Sequence, residues 1–323
     1  MANLNYIRAI NVALTEEMER DPDIFLAGED VGEPGGSFTE TRGIWQKYGF
    51  RRAKDTPISE SAILGIALGA AMAGLRPVVE IMFNDFIGVC ADQLFNQIAK
   101  ARYMFGSKFK LPITIMANCG GGISAGPQHS QSWEAMCMHV PGLKVVMPAT
   151  VYDAKGLLKA AIRDDDPVVY LHHKALYRLR EEISDGDYTV SLGKAAVRKE
   201  GRDVTLLAVS AMVHTALKAA GRLEQEGIKA EVIDLRSIVP LDKQTVLDSV
   251  KKTGRAVIVH EAVKVAGIGA EVSAMIMEEA FDYLDAPIQR VAAPYVPVPF
   301  SPALEKAYLP DEEAVIQAVR KIA

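Results

Sequence analysis

Residues 55–75 read DTPISESAILGIALGAAMAGL, a polar, proline-containing stop that runs straight into an apolar segment rich in glycine and alanine. Pro57 and its polar neighbours end one run of chain, and the segment after them reads as a helix. That segment is apolar on every face, so a buried helix is expected. It closes at Arg76-Pro77, and a strand-like run follows over residues 77–81. Glu60 opens the helix, where the macrodipole favours a carboxylate. On position alone, the ordinary role of Glu60 is to complement that helix end.

The same alternation extends in both directions. Towards the N-terminus, residues 6–20 have helical periodicity and 24–27 form a short apolar run ending in Gly28-Glu29-Asp30. Towards the C-terminus come an amphipathic helix over 88–103, a β-rich run over 112–117 and a glycine-rich loop over 119–126. A strand over 143–147, a helix over 151–163 and a strand over 167–171 complete the series. Apolar strands separated by helices indicate a parallel sheet covered on both faces. The pattern lapses at 178–187 (RLREEISDGD), a charged, turn-rich run of linker composition. A second series begins at Asp203, with strands over 204–209, 230–235, 256–260 and 288–291. Its helices are expected over 212–226, 243–253 and 267–283, with a last one from 311. The expectation is an α/β protein of two doubly wound domains, residues 1–185 and 186–323, with a linker at about 186–201.

Composition sets limits. The 323 residues suffice for two domains. A net charge of −5 without a long basic run argues against a nucleic-acid surface. Cys90, Cys119 and Cys137 lack metal-ligand spacing and read as reduced thiols of a cytoplasmic protein. Residues 1–6 (MANLNY) lack a basic start followed by an apolar run, so no signal peptide is expected. The apolar segment 61–75 is too short to span a bilayer.

Four places can carry chemistry. The loop 118–131 (NCGGGISAGPQHSQ) follows a strand and precedes a helix, where ligands bind in open parallel sheets. His129 in that loop is a proton-transfer candidate and equally a capping or exposed histidine. Phe86 lies just beyond a strand end and can stack on a flat ring or fill the core beneath the next helix. His172 and His173 end a strand, whereas His139, His214 and His260 read as structural. Gly267 and Gly269 open a helix after a strand, but the third glycine of a dinucleotide fingerprint falls on Val272. That leaves a nicotinamide dehydrogenase as a remote reading. No glycine-lysine-serine/threonine loop exists, so P-loop nucleotide hydrolysis is excluded.

Several of these stretches, taken in order, resemble one family. They are 55–60 (DTPISE), 69–77 (GAAMAGLRP), Phe86, 128–131 (QHSQ), 141–146 (PGLKVV) and 153–157 (DAKGL). Gly28-Glu29-Asp30, 232–236 (VIDLR) and 260–262 (HEA) extend the likeness over nearly the whole chain. The family is the beta subunit of the thiamine-diphosphate-dependent first component of 2-oxo acid and acetoin dehydrogenase complexes. It implies a thiamine-pyrimidine-binding domain followed by a transketolase C-terminal domain. The Gly-Asp-Gly…Asn signature that holds diphosphate and magnesium is missing; the nearest string, 186–188, reads GDY. In this family an alpha subunit supplies that half, so the resemblance implies a heterotetramer with shared active sites and magnesium held mainly by the alpha subunit.

Carried over by position, Glu60 is the carboxylate that hydrogen-bonds the cofactor's aminopyrimidine and favours the imino tautomer. That tautomer's nitrogen removes the thiazolium carbon proton, and the ring then serves as electron sink. Phe86 is the aromatic packed on the pyrimidine, with Ile58 and Met82 alongside. His129 is the histidine placed for proton transfer and for handing the acyl group to the lipoyl groups of a dihydrolipoyl acyltransferase core. Some relatives hold potassium on backbone carbonyls near Ile113, Ala161, Asp164 and Asp166. Residues 85–90, 102–106 and 297–305 place acetoin first among substrates, then pyruvate, then branched-chain 2-oxo acids. The rival reading of the same fold is a non-catalytic assembly subunit.

Overall fold

The computed structural model describes all residues, 1–323. The chain divides into two compact units. The first comprises Met1–Cys119 and Met136–Leu192, and the second Gly120–Ala135 and Gly193–Ala323.

In the first unit a parallel sheet runs in the order Lys144–Val146, Val168–His173, Thr114–Cys119, Arg76–Phe83, Ile24–Gly28, Ala53–Asp55. Strands Ile24–Gly28, Thr114–Cys119 and Val168–His173 are buried along their whole length, which is why they read as unbroken apolar runs. Helix Val151–Arg163 starts where Thr150 Oγ1 accepts the Asp153 N–H at 3.1 Å, and helix Tyr6–Arg20 where Asn5 Oδ1 accepts the Arg8 N–H at 2.9 Å. Strand Ile24–Gly28 is followed in sequence by its neighbour on one side, Ala53–Asp55, and then by its neighbour on the other, Arg76–Phe83. The strand order therefore reverses at Ile24–Gly28, and the carboxyl ends of the strands there form the edge at which open parallel sheets bind ligands.

Three local expectations change. Helix Glu60–Met72 packs Ile63, Leu64, Ala67 and Ala71 inward but leaves Ile66 51% and Met72 44% exposed, so this chain alone buries only one face of it. The stretch expected as one helix over 88–103 is a tight turn at Asn84–Gly88, a π-helical run at Asp92–Ile98 and an α-helix at Ala99–Met104. The Phe86 carbonyl accepts the N–H of both Val89 and Cys90, which tightens the start. The charged run 178–187 contains a strand, Arg180–Ile183, paired antiparallel with Ala2–Asn5. A ribbon made by backbone pairing at the surface needs no apolar side chains.

The second unit has a five-stranded sheet in the order Gln289–Ala293, Ala256–Val263, Val204–Ala208, Ala230–Asp234, Ala196–Lys199, parallel except for the last pair. Helices Met212–Gln225 and Glu312–Arg320 pack on one another, as do Lys243–Thr253 and Ile268–Ala280. Leu207, Ile233, Ile258, Val272 and Ile276 form the core. Edge strand Ala196–Lys199 and helix Pro302–Tyr308 are additions to the expected series. No helix is long and apolar enough to cross a membrane.

Candidate functional site

At the carboxyl edge of the first unit's sheet, each expected residue has a distinct placement. Glu60 opens its helix with its side chain 6% exposed, after a turn whose Thr56 N–H donates to the Gly28 carbonyl at 2.9 Å. Met82 is the last residue but one of strand Arg76–Phe83, and Phe86 lies in the turn that follows, half-buried and edge-on to Phe83 with ring centroids 6.1 Å apart. Ile58 stands 84% exposed one residue ahead of the Glu60 helix cap. An apolar surface beside a buried carboxylate suits a flat ring with a hydrogen-bonding edge.

The electrostatics of this edge rest on carboxyls that sequence reading passed over. Glu29 follows strand Ile24–Gly28; burial raises its pKa, and the charge of Glu60 raises it further. Its Oε1 is buried without a hydrogen-bond partner, an acceptor left open for a group from outside the chain. Glu80, 3% exposed, is pushed well above the ordinary carboxyl range by burial first and by the nearby Glu40 charge second. One signal was visible: Glu80 is the lone acid in an otherwise apolar strand run, RPVVEIMF. The Cys90 thiol is pushed up to about 12 by burial and the Glu60 charge, so it is no nucleophile at neutral pH.

Met82 is also held from below. Asn118 Nδ2 donates to the Met82 carbonyl at 2.6 Å, and the Asn118 amide oxygen accepts from the Tyr177 hydroxyl. That hydroxyl also lies 2.9 Å from His172 Nδ1. His172 is fully buried, and burial followed by the Lys174 charge lowers its pKa to about 3, so it stays neutral and structural. Three of the four carbonyls expected near a monovalent cation have partners within the chain. Ile113 O accepts from Val168 N–H, Ala161 O from Asp164 N–H, and Asp164 O from Arg76 Nη1 at 2.7 Å. Lys144 Nζ is 2.7 Å from the Asp164 carboxylate and 3.2 Å from that of Asp166.

His129 belongs to the second unit. Its N–H donates to the Gly126 carbonyl at 3.2 Å, closing a turn, and the Gly120 N–H donates to the Gln131 carbonyl at 2.9 Å across the base of the loop. In the same unit, burial and then the Arg290 charge hold fully buried His260 down to about 4. Gly267 and Gly269 exist for that ring. A Cβ on Gly267 would sit 2.4 Å from His260 Cε1, and one on Gly269 2.9 Å from Nε2. Close packing on a histidine, not a pyrophosphate turn, accounts for both glycines.

Residues 2–180 match the family described as transketolase, pyrimidine binding domain, and residues 193–315 the transketolase C-terminal domain. The 2-oxoisovalerate dehydrogenase subunit beta of Bacillus subtilis (strain 168) is 46% identical, covering 100% of this chain and 99% of that one. The acetoin:2,6-dichlorophenolindophenol oxidoreductase subunit beta of Cupriavidus necator is 48% identical over 97% of this chain and 95% of that one. The pyruvate dehydrogenase E1 component subunit beta of Bacillus subtilis (strain 168) is 47% identical over 100% and 99%. Among solved structures, one described as "Split gene transketolase, inactive beta4 tetramer" superposes with a TM-score of 0.82 at 26% identity, covering 99% of this chain and 98% of that one.

Proposed function

Because the chain belongs to the transketolase-like beta subunits of 2-oxo acid and acetoin dehydrogenase first components, we propose that it supplies the pyrimidine half of a thiamine diphosphate site. An alpha subunit supplies the diphosphate and magnesium half. The observation that carries this reading is the buried Glu60, whose charge reaches buried Glu29, with Met82 and Phe86 at and just beyond the carboxyl end of strand Arg76–Phe83. The fit rests on an open buried acceptor at Glu29 and a carboxylate at the helix start.

In this reading Glu60 accepts a hydrogen bond from the aminopyrimidine ring. Glu29, whose pKa is raised by burial and by the Glu60 charge, offers its open oxygen as a second acceptor near Glu60. Phe86 and Met82 pack on the ring face, Ile58 covers it, and together they exclude water. When bound, thiamine diphosphate supplies a carbon nucleophile and an electron sink for cleaving the bond next to a carbonyl. His129 holds or moves a proton at the substrate oxygen and orients the acyl group for transfer to lipoyl groups of an acyltransferase core. Potassium would have to share the Asp164 carbonyl with Arg76 and lie against the Lys144 ammonium.

The three relatives carry three different substrate names at 46 to 48% identity, so overall likeness does not rank the substrates. We place acetoin first, then pyruvate, then branched-chain 2-oxo acids. The test is co-expression with the neighbouring alpha-subunit reading frame, followed by dye reduction with all three substrates. Glu60→Ala should cut the reconstituted rate by about a hundredfold or more, the scale of a lost proton-transfer group. A variant retaining wild-type rate would instead leave this chain an assembly subunit.

A further inference from the structure

The loop that carries His129 is fastened from beneath by two buried carboxylates, one on a strand and one on a short helix. Its backbone alternates in hand: φ is +80° at Gly120, +92° at Gly122, +57° at Ser124 and +81° at Gly126. Alternation of this kind turns successive N–H groups to one side, making a concavity that takes an anion. Here the anions are the protein's own. Glu305 Oε1 accepts the Gly122 N–H at 2.9 Å, and Oε2 accepts the Ser124 N–H at 2.9 Å and its hydroxyl at 3.2 Å. Glu261 Oε1 accepts the Gly121 N–H at 2.7 Å. Glu305 is 3% exposed and Glu261 8%, so water competes little for these charge-assisted bonds. A Cβ on Gly121 would stand 3.2 Å from Glu305 Oε1, and one on Gly126 3.1 Å from the Phe300 ring, so glycine at both positions allows the backbone this close approach.

We propose that Glu305 and Glu261 are positioning residues for His129, clamping the 121–124 backbone so that the turn from Gly126 presents the imidazole in one place. The proposal rests on the reading of His129 given above. Neither carboxylate touches substrate or cofactor in it; both act through the loop. Glu261 stands near the carboxyl end of strand Ala256–Val263, beside the point where the strand order of the second unit reverses. That location makes the clamp part of the ligand-facing edge.

Glu305→Gln keeps size and shape but replaces one acceptor oxygen by an NH2 group that must face a backbone N–H. The test compares wild type, Glu305→Gln, Glu261→Gln, His129→Ala and the double variant His129→Ala/Glu305→Gln, each co-expressed with the alpha subunit. Two readouts are taken on the same samples: steady-state transfer to a recombinant lipoyl domain, and hydrogen exchange of the peptide covering 118–131. The clamp predicts at least a tenfold fall in kcat for Glu305→Gln, with KM for the carbonyl substrate within twofold. It also predicts at least tenfold faster exchange in 118–131 with no change over 53–83, and a double variant no slower than His129→Ala alone. Full additivity of the two substitutions, or a kcat within twofold of wild type despite faster exchange, would overturn it. So would unchanged exchange in both Glu305→Gln and Glu261→Gln. Absence of turnover by the wild-type assembly would sink the functional reading, and exchange would still decide whether the carboxylates hold the loop.

Discussion

Glu134 shows how far a residue's sequence setting can mislead. In the run SWEAMCM it reads as an ordinary acid in the first turn of a helix, yet it is 1% exposed and its Oε2 has no hydrogen-bond partner. Burial pushes its pKa up to about 7, with the charge of Glu261 adding to the rise. An acid whose folded pKa lies above its unfolded value binds more protons folded than unfolded. Stability therefore falls as pH rises from the ordinary carboxyl range to about 7, and is level beyond. Glu134→Gln removes the titration. The variant should match wild type near pH 4 and exceed it by about 3 kcal/mol at pH 8, read by urea unfolding at a series of pH values. A constant offset across that range would show that Glu134 is not the titrating group. The placement of Glu60 at a helix start and of Phe86 just beyond a strand end was legible because both follow from local spacing. Glu29, Glu80 and Glu134 take their character from burial, which no local pattern records.

At the scale of elements, helix Val151–Arg163 carries the sharpest departure from expectation. Its apolar periodicity was readable, but Lys155 and Lys159 lie four residues apart on its buried side, 1% exposed. Both ammonium groups pair with Glu16 of helix Tyr6–Arg20, and Lys159 also meets Asp187. Arg163, one turn on, lies 2.7 Å from Glu17, a carboxylate with no exposed surface. This network joins the first helix of the unit to one of its last. Glu16→Met should cost about 3 kcal/mol, because Lys155, 1% exposed, then loses its carboxylate partner and its charge stays buried without compensation. Denaturant unfolding of the variant checks it, and a loss below 0.5 kcal/mol would mean that solvent already screens the pair. Helix Glu60–Met72 fails in the opposite direction: its composition says buried on all sides, and Ile66 and Met72 face outward. Apolar composition reports that a face is covered in the working protein, not which chain covers it.

For the whole molecule, the missing diphosphate motif and the family membership lead to one further expectation. The purified chain with thiamine diphosphate and magnesium should turn over none of the three substrates, and addition of the alpha subunit should restore the reaction. Turnover by the chain alone would disprove the split site. The sequence by itself determined the class of the fold, two α/β series in order, because continuous apolar strands and intervening helices are patterns of near neighbours. It also determined Glu60 as the acid at a helix start and His129 as the polar histidine of a glycine-rich loop. Only the tertiary structure decided that residues 120–135 fold with the second unit, that Glu261 and Glu305 fasten that loop, and that burial raises the pKa values of Glu29 and Glu80. Those outcomes depend on groups up to 183 residues apart meeting in a low-dielectric interior. Desolvation and hydrogen-bond satisfaction act on the folded neighbourhood, and a linear pattern does not contain it.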